Sequence, residues 1–379
     1  MIYLDNAAST PLLPEIKNFY FEAIEKYYAN PHAGHTLSRE CLRVAETACL
    51  KILKAAQASP IDYRVIFTSG GTEANNLALL GVELKEGDEI ITCEAEHPSI
   101  LNVIKELKKK SVIIHYLALD KTGAPDLSNL SQIINKNTRL ISLTLLHNET
   151  GGLLDIDRLS ELTYGSSIHV HIDAVQGFGK RDIDMDDWGI SSLSFAGHKF
   201  HGPNSSGALI VSNKHLPNPL LYGGGQQEGL RSGTLDAAAA AALGFAAEFN
   251  KKEKVRRYQK INELNLLCRK LLSNLKQKNS NDCAVNIISC ASASPYVLLA
   301  NFKNMQGAIL MRALASKGII LGTGSACSAD SKQISPALKS LGLNDQNGFG
   351  VLRISMAWQN TENDIINFIE ELQKIIIDY

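Results

Sequence analysis

Charge of either sign is not in excess in this sequence: 38 Lys and Arg stand against 39 Asp and Glu, a formal net charge of -1. That balance excludes a global basic field for nucleic acid or anionic lipid, so any such partner would need a local patch. Long apolar runs are missing as well. No uninterrupted stretch approaches the ~20 residues of a membrane-spanning helix, and in Met1-Ile2-Tyr3-Leu4-Asp5 an acidic residue arrives before any apolar run develops, so the N-terminus does not read as a signal peptide. The seven cysteines are odd in number and include no CxxC pair, which reads as free thiols in a reducing cytoplasm. No internal repeat is visible. What remains, 45% hydrophobic and 20% charged residues over 379, is the balance of a soluble globular protein, long enough for a large core domain and a smaller second one.

Along the chain, helical spacing covers residues 15–28 and 38–57, the second stretch with Leu42, Ala45, Cys49 and Ile52 on one side. Short apolar runs at 65–67, 90–93, 112–114, 140–145, 168–172 and 193–195 read as strands, with helices expected after Pro98, over 127–134 and over 157–163. Strands separated by helices imply a mainly parallel sheet covered on both faces, with its site at the carboxyl ends of the strands. The alanine run 237–247 reads as a closely packed helix. The basic run Lys251-Lys252-Glu253-Lys254-Val255-Arg256-Arg257 lacks an aromatic ladder and is expected to be a solvated helix face leading into the second domain, without direct nucleic-acid binding.

Several residues fall at the predicted strand ends. Lys199, between His198 and a Gly-Pro turn, should end a strand; a catalytic amine there would need surroundings that favour its neutral form, and a surface lysine after an edge strand would look the same in sequence. Gly70-Gly71-Thr72-Glu73 puts backbone amides at a helix start, which suits an anion or simply caps a turn, and it lacks the Gly-Lys-Ser/Thr ending of a Walker loop. Asp173 directly follows the apolar run ending at Ile172, where a carboxylate requires a partner. His97 and Asn148-Glu149-Thr150-Gly151 follow two further strands.

Taken together, Leu4-Asp5-Asn6-Ala7-Ala8, Ser69-Gly70-Gly71-Thr72-Glu73, Glu96-His97, Asn148-Glu149-Thr150-Gly151, His171-Ile172-Asp173-Ala174-Val175-Gln176, Gly197-His198-Lys199, Arg231-Ser232-Gly233-Thr234, Gly324-Ser325-Ala326-Cys327 and Leu352-Arg353-Ile354-Ser355 resemble, in order and over nearly the whole chain, the NifS/IscS-like cysteine desulfurases of the class V aminotransferases. The resemblance implies an α/β protein of the pyridoxal-phosphate-dependent transferase fold type I. Its large domain would span 12–258, with a mainly parallel sheet flanked by helices; residues 1–11 and 259–379 would form a smaller α+β domain carrying the catalytic cysteine loop.

By the same resemblance Lys199 would be the Schiff-base lysine and Asp173 the partner of the pyridinium nitrogen. His97 would stack on the ring, and Gln176 and Asn148 would bond near its phenolic oxygen. Gly71, Thr72 and His198 would hold the phosphate, with Thr234 contributed by the second subunit of a homodimer. Arg353, with Asn148 nearby, would clamp the carboxylate of L-cysteine. Cys327, in a loop of small residues suited to carrying sulfur outward, would take that sulfur as a persulfide and pass it to an acceptor protein. No metal is implied.

Four positions depart from the family pattern. Ala196 stands where a phosphate-binding serine is usual, so that Ser194 or a water would have to substitute; Asn204, Glu228 and Ser38 replace a lysine, an arginine and a glycine. By the same resemblance, the short stretch ending at Tyr379 would lack the longer tail with which housekeeping members dock an iron–sulfur scaffold. A selenocysteine lyase or other class V enzyme, and a non-catalytic adaptor of a sulfur-transfer pathway, are the alternatives that the same motifs allow.

Overall fold

The computed structural model describes residues 1–276, 283–323, 334–345 and 348–379. The strands are β1 (Ile2–Leu4), β2 (Tyr63–Thr68), β3 (Glu89–Cys93), β4 (Ile113–Leu117), β5 (Thr138–Thr144), β6 (His169–Asp173), β7 (Ser192–Ala196), β8 (Gly207–Ser212), β9 (Val285–Ile287), β10 (Val297–Phe302), β11 (Ile319–Thr323) and β12 (Val351–Ser355). The helices are α1 (Pro14–Lys26), α2 (Thr36–Ala55), α3 (Gly71–Leu80), α4 (Pro98–Lys108), α5 (Leu130–Ile133), α6 (Ile156–Thr163), α7 (Met185–Trp188), α8 (Ala237–Leu272), α9 (Gly307–Ser316), α10 (Pro336–Ser340) and α11 (Glu362–Asp378).

A seven-stranded sheet, ordered β2-β8-β7-β6-β5-β3-β4, forms the larger layer. Its strands are parallel except β8, which runs antiparallel to both β2 and β7. Alternate residues enter opposite cores, as the two-residue period of a strand requires. Ile90, Leu140 and Leu209 pack under α3 and α4, whereas Ile91, Ile141 and Ile210 pack under α2, α6 and α8. Each such buried Leu or Ile stabilises the fold by roughly 1.5–3 kcal/mol before entropy is counted. The alanine run of α8 has a packing reason: a Cβ on Gly244 would stand 2.6 Å from the Cα of Ala48, so small side chains let α8 lie directly on α2.

The second sheet, ordered β1-β11-β12-β10-β9, recruits the N-terminal strand by parallel pairing with β11. Its core joins Leu4, Leu298, Ile354, Leu310 and Phe368 with Ile261, Leu264 and Cys268 of α8. That 36-residue helix therefore supplies both cores. The basic run within it differs from expectation at one end: Lys252 and Arg256 pair with Glu248 and Glu253 at the surface, but Arg257 is buried, with 7% of its surface exposed. Cation–π packing on Phe249 and Trp358 draws it inward. The helix expected over 127–134 shrinks to Leu130–Ile133, because Asn135 closes it by bonding the Asn137 backbone and the Glu89 carboxylate.

Candidate active site

Four parallel strands deliver their carboxyl ends to one edge of the large sheet, and the residues after them meet there. Lys199 ends a single 3-10 turn, Gly197–Lys199, directly after β7. Its Nζ donates to the Ala7 carbonyl at 2.7 Å, and Gln176 Nε2 donates to the same oxygen at 2.6 Å. Lys180 Nζ in turn donates to Gln176 Oε1 at 3.0 Å. Ala7 is fixed from the small sheet, its N–H bonding Ser355 Oγ at 2.9 Å. A main-chain carbonyl of the N-terminal segment thus orients both the lysine and the glutamine, a role that no side chain announces in the sequence.

Asp173, at the end of β6 and 5% exposed, accepts from Asn75 Nδ2 at 2.8 Å and from the Val175 N–H at 2.9 Å. Asn75 also donates to Ser99 Oγ at 2.9 Å and faces His171 Nε2 with its Oδ1 at 3.2 Å. Ser192 Oγ continues the chain, 3.0 Å from His171 Nδ1 and 2.7 Å from His169 Nε2. Burial, the largest cause, holds His169 and His171 neutral at about 3. Sequence reading missed Asn75, Ser99 and the histidine relay; the signal available was a polar Asn on the buried face of α3.

His97 is the N-cap of α4, where its Nδ1 accepts from the Ser99 N–H at 3.1 Å. Desolvation by the surrounding walls lowers its pKa, the Asp173 carboxylate opposes this, and Lys199 adds to the lowering. Neutral, with the remaining proton on Nε2, the imidazole keeps an open face at the mouth of the site. Asn148 and Glu149 follow β5. Burial raises the Glu149 carboxyl to about 7 against the opposing Ser335 hydroxyl bond, 2.7 Å, and the Arg353 charge. Burial, and then the charge of Asp173, push the Glu96 carboxyl well above the usual carboxylate range against the bond from the Thr144 N–H, and its Oε2 has no partner.

At the start of α3, Gly70 offers no side-chain cap, leaving the first amides as donors beside Thr72, which is exposed. A Cβ on Gly71 would lie 2.6 Å from Val175 Cγ2 and 3.5 Å from the Ala196 Cβ, so the close approach needs glycine and Ala196 faces this helix start. Ser194, its expected substitute, is fully buried, with its Oγ 3.4 Å from His171 Nε2. His198, lowered to about 4 by burial and then by Lys199 and Lys180, meets Ser9 Oγ through Nδ1 at 3.3 Å. The departures at 38 and 228 have local uses. Ser38 closes the start of α2 by bonding His35 through both its amide and its hydroxyl. Glu228 pairs with Arg64, and the bond of Arg231 Nε to Glu73 Oε1 at 2.8 Å ties the same loop to α3.

Arg353, on β12 and 4% exposed, bonds Asp5 Oδ1 at 2.9 Å and the Asn148 carbonyl at 3.2 Å. Its Nε is buried with no acceptor. A guanidinium held through one N–H of each terminal nitrogen keeps further N–H donors for an incoming carboxylate. Thr234 is exposed, and Asn204 lies exposed in the turn after Pro203. Cys327 falls outside the described residues.

The strand order and the amine, carboxylate and anion cradle at its carboxyl edge define a pyridoxal-phosphate-dependent transferase of fold type I. The chain belongs to the class-V aminotransferase family, which it matches over residues 2–368, and within that family to the cysteine desulfurases. It is 32% identical to the cysteine desulfurase IscS of Clostridium botulinum (strain Kyoto / Type A2) over 379 residues, covering 99% of this chain and 94% of that protein. A solved NifS-like protein superposes with a TM-score of 0.90 at 27% identity, each chain fully covered. The structure described as SspA in complex with cysteine gives a TM-score of 0.81 at 28% identity, covering 95% of this chain and all of that one. The residues present fit the cofactor of the family: uncapped amides at α3 for the phosphate, a buried carboxylate for the ring nitrogen, and a part-buried lysine amine one strand away.

Proposed function

We propose that the protein converts L-cysteine and the thiol of Cys327 into L-alanine and a Cys327 persulfide, which an acceptor protein then takes. The observation that carries this reading is the convergence of Lys199 and Arg353 on one N-terminal segment: the amine is held by the carbonyl of Ala7 and the guanidinium by the carboxylate of Asp5. Amine and carboxylate recognition are thereby fixed relative to one another, as an α-amino acid substrate requires.

Gly71, Thr72 and His198 would hold the cofactor phosphate, Asp173 its ring nitrogen, and His97, Gln176 and Asn148 its ring face and phenolic edge. When bound, the cofactor withdraws electrons from the substrate and so weakens the bonds at its α- and β-carbons. The bonds from Asn75 and the Val175 amide hold the Asp173 carboxylate in place, and Arg353 orients the substrate by its carboxylate. Lys199 Nζ provides the amine for the covalent link and afterwards moves a proton at the substrate carbon. Cys327 receives the substrate sulfur as its thiol proton is given up.

We read residues 12–258 as the cofactor-binding domain and residues 1–11 with 259–379 as the domain bearing Cys327. Thr234, exposed on one chain, completes the phosphate site of the other in a homodimer. Cys41, Cys49, Cys93, Cys268, Cys283 and Cys290 are free, which suits a reducing cytoplasm; no described helix is long and apolar enough to cross a membrane. The test compares alanine release by the wild type, Lys199→Ala and Cys327→Ala on cysteine and on selenocysteine. Loss of cysteine turnover in both variants supports the reading. Cysteine turnover that survives Cys327→Ala overturns the persulfide step.

A further inference from the structure

We propose that the cavity between α8, the segment after β6 and the segment after β12 is a binding site for one monatomic anion of halide size, held by Arg257 and Lys180. The cavity measures roughly 20 Å³, enough to admit a water-sized or monatomic species. It lies apart from the strand-end residues assigned to the cofactor, although Lys180 stands on its wall and reaches Gln176 on the other side.

Charge on that wall is one-sided. Two cations line the cavity and no Asp or Glu does. Among the described residues neither Arg257 nor Lys180 has a carboxylate within ion-pair distance. The guanidinium faces of Arg257 are covered by the rings of Phe249 and Trp358, at 5.2 and 4.7 Å, leaving its N–H edge to find acceptors. Asn250 Oδ1 is one, bonded to Nη1. Lys180 has Gln176 Oε1 and the face of Tyr296, 5.6 Å from the ring centre.

Hydrogen-bond bookkeeping is as uneven as the charge. The indole N–H of Trp358, on the same wall, is buried with no acceptor. The amide of Asn250 is fully engaged, its Nδ2 donating to the Phe200 and Ala246 carbonyls. His201 stays neutral at about 4, chiefly through burial, with Lys180 and Arg257 both adding to the lowering and a bond to the Pro11 carbonyl opposing it. The unpartnered indole N–H and the two cations thus meet no carboxylate on this wall, and a water, which brings no net charge, does not serve both. One small anion does. Burial and the like charges of Lys199 and Arg353 push the Lys180 amine down to about 7; an anion beside it favours the ammonium again.

The experiment uses the cofactor-loaded full chain in buffers whose only anion is gluconate, against sodium chloride or sodium bromide at matched ionic strength. Thermal midpoints should rise and saturate with halide, and crystals soaked in bromide should show one anomalous peak in the cavity. Arg257→Met should abolish the halide shift. Trp358→Phe, which removes only the N–H donor, should weaken the apparent halide affinity roughly fivefold to tenfold. Saturating bromide without a peak in the cavity overturns the site, as does a halide shift unchanged in both variants; should Arg257→Met not fold, the bromide peak and Trp358→Phe decide alone.

Discussion

Replacing Asn75 by Ala tests the buried relay behind the cofactor carboxylate. Asn75 is 1% exposed and makes three side-chain hydrogen bonds, to Asp173 at 2.8 Å, Ser99 at 2.9 Å and His171 at 3.2 Å. The bond to the carboxylate contributes about 1.5–3 kcal/mol and the other two about 1 kcal/mol each. Their combined loss, about 4 kcal/mol, takes a large share of the 5–15 kcal/mol that holds an ordinary domain together. At about 2–4 °C per kcal/mol for a domain of this size, the thermal midpoint should fall by roughly 12 °C. Asp173 would keep the Val175 amide as its other partner and could turn about that contact, so affinity for pyridoxal phosphate should fall by more than about tenfold, read by fluorescence titration. Asn75→Ala with the wild-type midpoint and unchanged cofactor affinity would refute the claim that this relay fixes the carboxylate.

Three other outcomes follow from the same geometry. His147, His169, His171 and His201 are buried and held at about 4, 3, 3 and 4, below the unfolded value near ~6.5, so the unfolded chain binds more protons and stability is lost as pH falls below ~6.5. By pH 5.5 the loss is roughly 1.4 kcal/mol for each histidine. Glu149, raised to about 7, runs the other way and restores about 2 kcal/mol between pH 7.5 and 5.5, so urea midpoints should fall over that interval and fall further in Glu149→Gln; a flat profile contradicts this. Gly71→Ala should lower cofactor affinity by more than about tenfold through its clash with Val175, and Val175→Ala should rescue it; equal affinities in all three proteins would remove the close-approach argument. Arg353→Lys should raise KM for cysteine at least about tenfold while leaving cofactor absorbance intact, since an ammonium cannot keep Asp5 and also serve a carboxylate in two places.

How much of this was legible in the residues varies by element. The strands at 90–93, 140–145, 168–172 and 193–195 were readable because fully buried parallel strands are continuous apolar runs, and β3, β5, β6 and β7 lie within a residue or two of them. Strand β8 was not singled out. It follows β7 after the connection 197–206, which holds only the 3-10 turn Gly197–Lys199 and no α-helix, and it returns antiparallel to β7. Lys199, Asp173 and His97 could be found because they sit immediately after such runs. Asn75 was missed although its spacing from Ala78 and Leu79 puts it on the buried face of α3, since an Asn inside a helix reads as a surface residue until the neighbouring strand supplies Asp173 and His171. The carbonyl of Ala7 could not be found, because a main-chain oxygen carries no sequence signal. Arg257 was misplaced for a related reason: its charge matched its exposed neighbours, and only the rings of Phe249 and Trp358, the latter about a hundred residues on, pull it inward.

The central claim is that the amine of residue 199 makes the covalent link to the cofactor, and a second lysine nearby makes this a real contest. Lys180 lies in the same pocket of charge, with its amine lowered to about 7. Borohydride reduction of the pyridoxal-phosphate-loaded protein, followed by peptide mass spectrometry, assigns the link directly. The account predicts a single phosphopyridoxyl adduct on the peptide containing Lys199; an adduct on Lys180, or none on either, contradicts it.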